Sequence, residues 1–489
     1  MTINTRAIKN RHNCLIFTYI LALSLIPMVL RNILPYDMIE NLYWGKELQP
    51  GYSKHPPLFA WISFFFYKLS FSRPESLYVL TQLNLSLGLF FIFKTSELIF
   101  ENKRKSYAAV LIFLASAAAV FGNEKFNAST ILMSLFPSMF YFFLRLIKFN
   151  RKKDAIALGV ASALAFLGKY FALLYLGCMG LFLIANRECR HILKTPQPYL
   201  AVATFLLCIG WHLSWLWDND FVAVKYALGK SIDAQRDFFA PFNFLLMQSI
   251  FFSTSLWAFR HSYASKMNFF PKMNGNFSTE EKFIIFISIA PGAILFFASL
   301  VTGMRIGSFW GTNMLMMLGT YLLTINPREP NYDKLFVFAR RISCFFAVAL
   351  FVKLAIARYF LCHYDPTNAL DTTKIAALVD HDWRRCFGNQ KMTILKTDKA
   401  TAELHIRLQD SPSSYNIEHN DLFHIYDKYP MDANLAVVFL CARNDGQTEH
   451  FKKFYGKSIL FDSMTHLIDD YAVYYAFLNV KNNRKTTRK

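Results

Sequence analysis

The chain has 489 residues, 54% hydrophobic and 17% aromatic, with 51 Phe and a mean hydropathy of +0.25. Its apolar residues fall in long, recurring, nearly charge-free runs, which excludes an ordinary soluble domain and predicts a polytopic α-helical membrane protein. The formal net charge of +20 lies largely in short clusters between those runs, so it marks orientation in a membrane and not a nucleic-acid partner.

In chain order, Arg6, Lys9 and Arg11 precede an apolar run over 14–30. The run is long enough to span and lacks a convincing cleavage site, so it reads as an uncleaved first helix. About eleven spans of roughly twenty residues follow from hydropathy: 13–32, 76–99, 106–122, 128–148, 154–168, 170–186, 199–217, 241–259, 283–302, 309–325 and 335–359. Residues 58–66 are apolar but bounded by Pro57 and Lys68. They predict a half-inserted interfacial helix with Trp61 and Tyr67 at headgroup depth. Basic clusters such as Lys103-Arg104-Lys105 alternate with loops of mixed charge. The clusters and the N-terminus are therefore expected in the cytoplasm. The Asp37 loop and the segments 122–127, 168–170, 218–240 and 303–310 are expected on the opposite face.

From residue 361 to 489 the chain turns mixed and polar. Ile375, Leu378, Val379 and Trp383 predict a helix over 372–387, and 392–395, 402–408 and 435–440 predict strands. The expectation is thus a transmembrane domain over 1–360 and a small external α/β domain over 361–489 with a basic tail. Eight Cys show no CxxC pair. Cys362, Cys386 and Cys441 allow at most one disulfide in the polar part. No internal repeat, Walker loop, HExxH or GxSxG is present.

The polar residues of the external loops are the candidates for chemistry, because charge at a membrane surface is costly. Asp37 and Glu40, at i and i+3, can share one face of a helical turn. A carboxylate at a dry interface can gain basicity and act as a general base; an acidic loop that keeps the turn in water is the alternative. Lys54 and His55, beside Pro56-Pro57, either stabilise a leaving phosphate or snorkel at the lipid surface. Glu124-Lys125-Phe126-Asn127 follows on the same face, with Asn127 equally suited to cap a helix. Lys169 is a turn residue or a phosphate contact. Arg305, between Gly303 and Gly307, suits a phosphate or carboxylate or an interfacial belt with Trp310. An aromatic belt accounts for Trp211, His212, Trp215 and Trp217.

The run Tyr36-Asp37-Met38-Ile39-Glu40 with Gly51-Tyr52-Ser53-Lys54-His55-Pro56-Pro57-Leu58 resembles the first external loop of bacterial family 39-like glycosyltransferases of the GT-C fold. These are relatives of the protein O-mannosyltransferases and of the aminoarabinose transferase acting on lipid A. Lys125-Phe126-Asn127 and Gly168-Lys169-Tyr170 are similar to further motifs of that group. The resemblance implies a sugar donor on polyprenyl phosphate, used at the outer face of a bacterial inner membrane, and inverting transfer. It implies Asp37 as the catalytic acid and Lys54 as the donor-phosphate contact. Two departures stand out: Asp-Met-Ile-Glu replaces adjacent Asp-Glu, and Asn127 stands where many relatives carry Asp. A divalent cation therefore stays an open cofactor. The expected reading is transfer of a sugar to a lipid or glycan acceptor, lipid A or lipopolysaccharide core foremost. A flippase of lipid-linked sugars and a protein O-glycosyltransferase are the alternatives; the metal, sugar and oligomeric state are left open.

Overall fold

The computed structural model describes residues 5–232, 236–264, 267–271, 275–326, 328–360, 370–392, 394–397, 401, 403–410, 413–416, 434–442, 459–468 and 471–479. Among the described residues seven helices are long and apolar enough to cross a membrane: Ile8–Leu30, Ser76–Phe100, Leu132–Phe149, Gln197–Asp218, Ala240–Ser262, Thr279–Thr302 and Tyr332–Tyr359. The other expected spans are shorter or broken. The 106–122 run divides into Lys103–Leu114 and Ala117–Phe121, where Ser116 leaves the helix and caps the next with its hydroxyl. Similarly, 309–325 becomes Trp310–Met314 and Leu318–Ile325. The fifth and sixth expected spans are the helices Lys152–Gly168 and Ala172–Ala185.

The segment after the first span is itself structured. Pro35 sets the start of a helix over Tyr36–Glu47, which places Asp37 in the first turn, where the helix dipole favours a carboxylate. Met38 to Gly45 are all buried, so the element has no polar face to announce it. It packs against Leu58–Leu69, a 12-residue helix that is about 18 Å long and falls short of a hydrocarbon core. Gly45 makes this approach possible: a Cβ there would lie 2.3 Å from the Ala60 carbonyl oxygen and 2.5 Å from Phe64 Cβ.

The C-terminal part carries the expected helix, Thr372–Phe387. Ile375, Val379 and Trp383, four residues apart, are buried, whereas Leu378 is exposed. The helix covers a five-stranded sheet of β1 (Ile394–Thr397), β2 (Ser413–Asn416), β3 (Asn434–Ala442), β4 (Ile459–Ile468) and β5 (Tyr471–Asn479), in the order β2-β1-β3-β5-β4. β1 pairs in parallel with β2 and β3, and β5 antiparallel with β3 and β4. The strand expected over 402–408 is instead a short helix, Leu404–Arg407. Leu404 and Leu408 are both buried, a spacing of four that suits one helical face. Cys386 is an exposed free thiol. The disulfide expectation rests partly on Cys362, which lies outside the described residues, as does the basic tail.

Candidate active site

A cavity of about 360 Å³ opens at the start of the Tyr36–Glu47 helix. Asp37, Glu40, Lys54, His55, Asn127 and Lys169 all line it, with Tyr170, Tyr226 and Trp310. Loops far apart in sequence and assigned to one face by charge therefore meet around one space.

Lys54 is delivered by a pinned loop. Tyr52 stacks on Trp44 at 5.0 Å, its hydroxyl donates to the Trp44 carbonyl at 2.5 Å, and its N–H donates to the His55 carbonyl at 3.1 Å. His212, fully buried on the Gln197–Asp218 helix, lies 2.7 Å from the Pro50 carbonyl through Nδ1 and 3.0 Å from the Tyr170 hydroxyl through Nε2. It ties the Lys54 loop to the Lys169 turn. This corrects the belt reading for His212; Trp211 and Trp217 remain exposed.

The two carboxylates have divergent surroundings. Asp37 Oδ2 meets Lys125 Nζ at 2.7 Å and accepts from Asn127 Nδ2 at 2.7 Å. Burial pushes this carboxyl up, but the Lys125 charge and hydrogen bond, the Asn127 amide and His55 outweigh it and hold Asp37 below the usual carboxylate value. The expected gain in basicity is thus absent at Asp37, because a half-exposed cation faces it directly. Glu40 is buried, accepts from Lys54 Nζ at 2.6 Å and from the Tyr43 hydroxyl at 3.2 Å. Here burial wins over Lys54 and, with the Asp37 charge, raises the carboxyl. Burial would lower Lys54, but Glu40 more than offsets it and keeps the ammonium charged.

Asn127 closes a turn and not a helix, and it also reaches Asp37. Its Oδ1 accepts from the N–H groups of Ser129 and Thr130, each at 2.9 Å, while Nδ2 holds Asp37. Lys169 donates to Ser129 Oγ at 2.6 Å and lies 5.3 Å over the Trp310 ring. Arg305 is exposed and lines neither this cavity nor the next. Gly303, left-handed at φ 71°, turns the chain so that Ile306 points inward instead. A second cavity, of about 520 Å³, lies on the other side of Asp37. Asp37, Asn127, Ser129 and Trp310 belong to both walls; the second is also lined by Lys125 and by Arg31 and Lys353, which both pair with Glu124.

Among the described residues no group of three His, Cys, Asp or Glu side chains is placed to hold a metal ion. Asp37 and Glu40 each face a lysine already, so these residues are a poor fit to a resident divalent cation.

ArnT from Cupriavidus metallidurans, in a crystal structure bound to undecaprenyl phosphate, superposes with a TM-score of 0.67 over 97% of this chain and 98% of its own, at 12% identity. Its apo structure gives 0.67 over 94% and 97%, at 13% identity. The chain therefore shares the fold of ArnT over nearly its whole length. Residues 54–215 match the family described as dolichyl-phosphate-mannose-protein mannosyltransferase. The matched segment takes in Lys54, Lys125, Asn127, Lys169 and His212 but begins after Asp37 and Glu40. No curated protein matches the chain in sequence. Sequence reasoning missed Tyr226, from the Val222–Ile232 helix, with Arg31 and Lys353, and assigned His212 to a belt when it links two loops of the site. Tyr226 gave no local signal; a histidine inside an apolar span, as at His212, was the available clue.

Proposed function

We propose that this protein is an integral membrane glycosyltransferase. It moves a sugar from a polyprenyl-phosphate donor to an acceptor of the cell envelope, lipid A or lipopolysaccharide core foremost, at the periplasmic face of the inner membrane. The observation that carries this reading is Asp37 in a wall common to two cavities, with lysines on both sides.

In this reading the donor phosphate occupies the cavity of Lys54, His55 and Lys169, and the acceptor enters from the cavity of Arg31, Lys125 and Lys353. The bond from the anomeric carbon to the phosphate oxygen breaks, and its electron pair leaves with the polyprenyl phosphate. Lys54 and Lys169 stabilise that growing charge. An acceptor oxygen forms the new bond on the opposite face, which inverts the centre, and any proton it carries passes to Asp37. A weakly basic Asp37 suffices, because the proton becomes acidic only as the bond forms, and its negative charge also favours an oxocarbenium-like transition state. The fold shared with a protein crystallised with undecaprenyl phosphate supports the donor class. The family matched over 54–215 favours a second reading, a protein hydroxyl as acceptor.

Mass spectrometry of lipid A and core oligosaccharide from cells with the protein, without it, and with Asp37→Asn tests the reading. Loss of one sugar-sized mass in both the deletion and the variant is expected. An unchanged lipopolysaccharide profile removes this acceptor and favours the protein reading. A mass lost only in the deletion removes Asp37 from catalysis and favours a flippase.

A further inference from the structure

The Leu404–Arg407 helix of the C-terminal part reaches the first loop through a fully buried carboxylate. Glu403, 0% exposed, accepts the backbone N–H of Leu34 on Oε2 at 3.1 Å. Leu34 lies three residues before Asp37. The other oxygen, Oε1, accepts from Arg407 Nη2 at 2.6 Å and Nε at 2.9 Å. Arg407 Nη2 also donates to Glu75 at 2.7 Å, at the head of the Ser76–Phe100 span. One residue beyond Glu403 in the chain, Leu404 is buried, and the His405 ring meets Tyr43 edge-on at 5.2 Å. Tyr43 donates to Glu40, the partner of Lys54. Burying a carboxylate is costly unless it is fully bonded, and this one is spent on the chain entry to the site and on a membrane helix.

We propose that residues 403–408 form a latch that sets the Tyr36–Glu47 helix in its reactive position, with Glu403 as a positioning residue that acts through the Leu34 amide. The inference rests on Asp37 being at the reacting centre. It assigns the C-terminal part a share in transfer itself. Removing the Glu403 acceptor frees the Leu34 N–H and lets the first turn of the helix, and Asp37 with it, drift from the anomeric carbon. Small displacements of a reacting group are enough to slow such a step.

The test compares Glu403→Ala and Glu403→Gln in the full-length protein in lipid nanodiscs. Hydrogen exchange of a peptide covering 33–43 and steady-state transfer kinetics are both read. The alanine variant is expected to exchange about tenfold faster in that peptide and to lose about tenfold in kcat, with KM for the donor unchanged. The glutamine variant, which keeps an acceptor for Leu34, is expected to recover most of both. Wild-type exchange at 33–43 in the alanine variant, a rise spread evenly over the chain, or faster local exchange with wild-type kcat each overturns the proposal. Should Glu403→Ala fail to fold, the pair Glu403→Met/Arg407→Met and Glu403→Gln/Arg407→Met leaves no buried ion and differs only in the acceptor. A wild type that transfers no sugar refutes the transferase reading alone, since the exchange measurement still decides the latch.

Discussion

At the scale of the residue, Asp37 and Glu40 show how three positions along one helix produce two different acids. Asp37 faces Lys125 and Asn127 and stays ionised; Glu40 turns inward to Lys54. Asp37→Asn is expected to lower kcat by about 10²–10⁴-fold, checked by transfer assays on purified protein. The pH dependence has a defined sign. A group held below its ordinary value loses its charge only as pH falls through that lowered value, so transfer should show no acid limb across the neutral range. Lys125→Met removes the principal stabilising charge, and the acid limb of the pH–rate profile should move to higher pH. Lys54→Met strands the Glu40 carboxylate and should destabilise the fold by about 3–5 kcal/mol, less at low pH, where Glu40 takes a proton. Glu40→Gln/Lys54→Met should restore the melting temperature without restoring transfer. These residues were legible because charge is conspicuous beside apolar runs. Their pairing was not: nothing in the local sequence joins Asp37 to Lys125, or shows that Arg305 lines neither cavity.

At the scale of the element, the tight contact is between Tyr36–Glu47 and Leu58–Leu69. Gly45→Ala places a methyl group against the Ala60 carbonyl and Phe64. It should cost about 1–3 kcal/mol and move Asp37 relative to Lys54, read as a lower melting temperature together with a lower kcat. The long spans could be read from hydropathy, since twenty apolar residues in a row have few other uses. The Tyr36–Glu47 helix could not, because an element buried on every side carries no 3.6-residue alternation. The segment 402–408 misled for a related reason: over so short a stretch, buried positions four apart fit a strand pattern and a helical one alike. β4 and β5 were missed, and β5 is buried from Val473 to Phe477, including both faces of the strand, which erases the period-two signal.

At the scale of the whole molecule, loops spaced over most of the chain converge on one wall between two spaces, and the C-terminal part grips that wall through Glu403. The common wall has a kinetic consequence. In the proposed transfer Asp37 is presented to both cavities, and Glu40, the other carboxylate lining the donor cavity among the described residues, is buried against Lys54, so the sugar would make no covalent stop on the protein. In that mechanism both substrates would have to be resident together. Initial rates measured against donor at several acceptor concentrations should therefore give intersecting double-reciprocal lines, and parallel lines would contradict a single displacement. The spent carrier lipid should compete with fresh donor while leaving acceptor affinity untouched, so turnover would slow wherever carrier recycling lags behind supply.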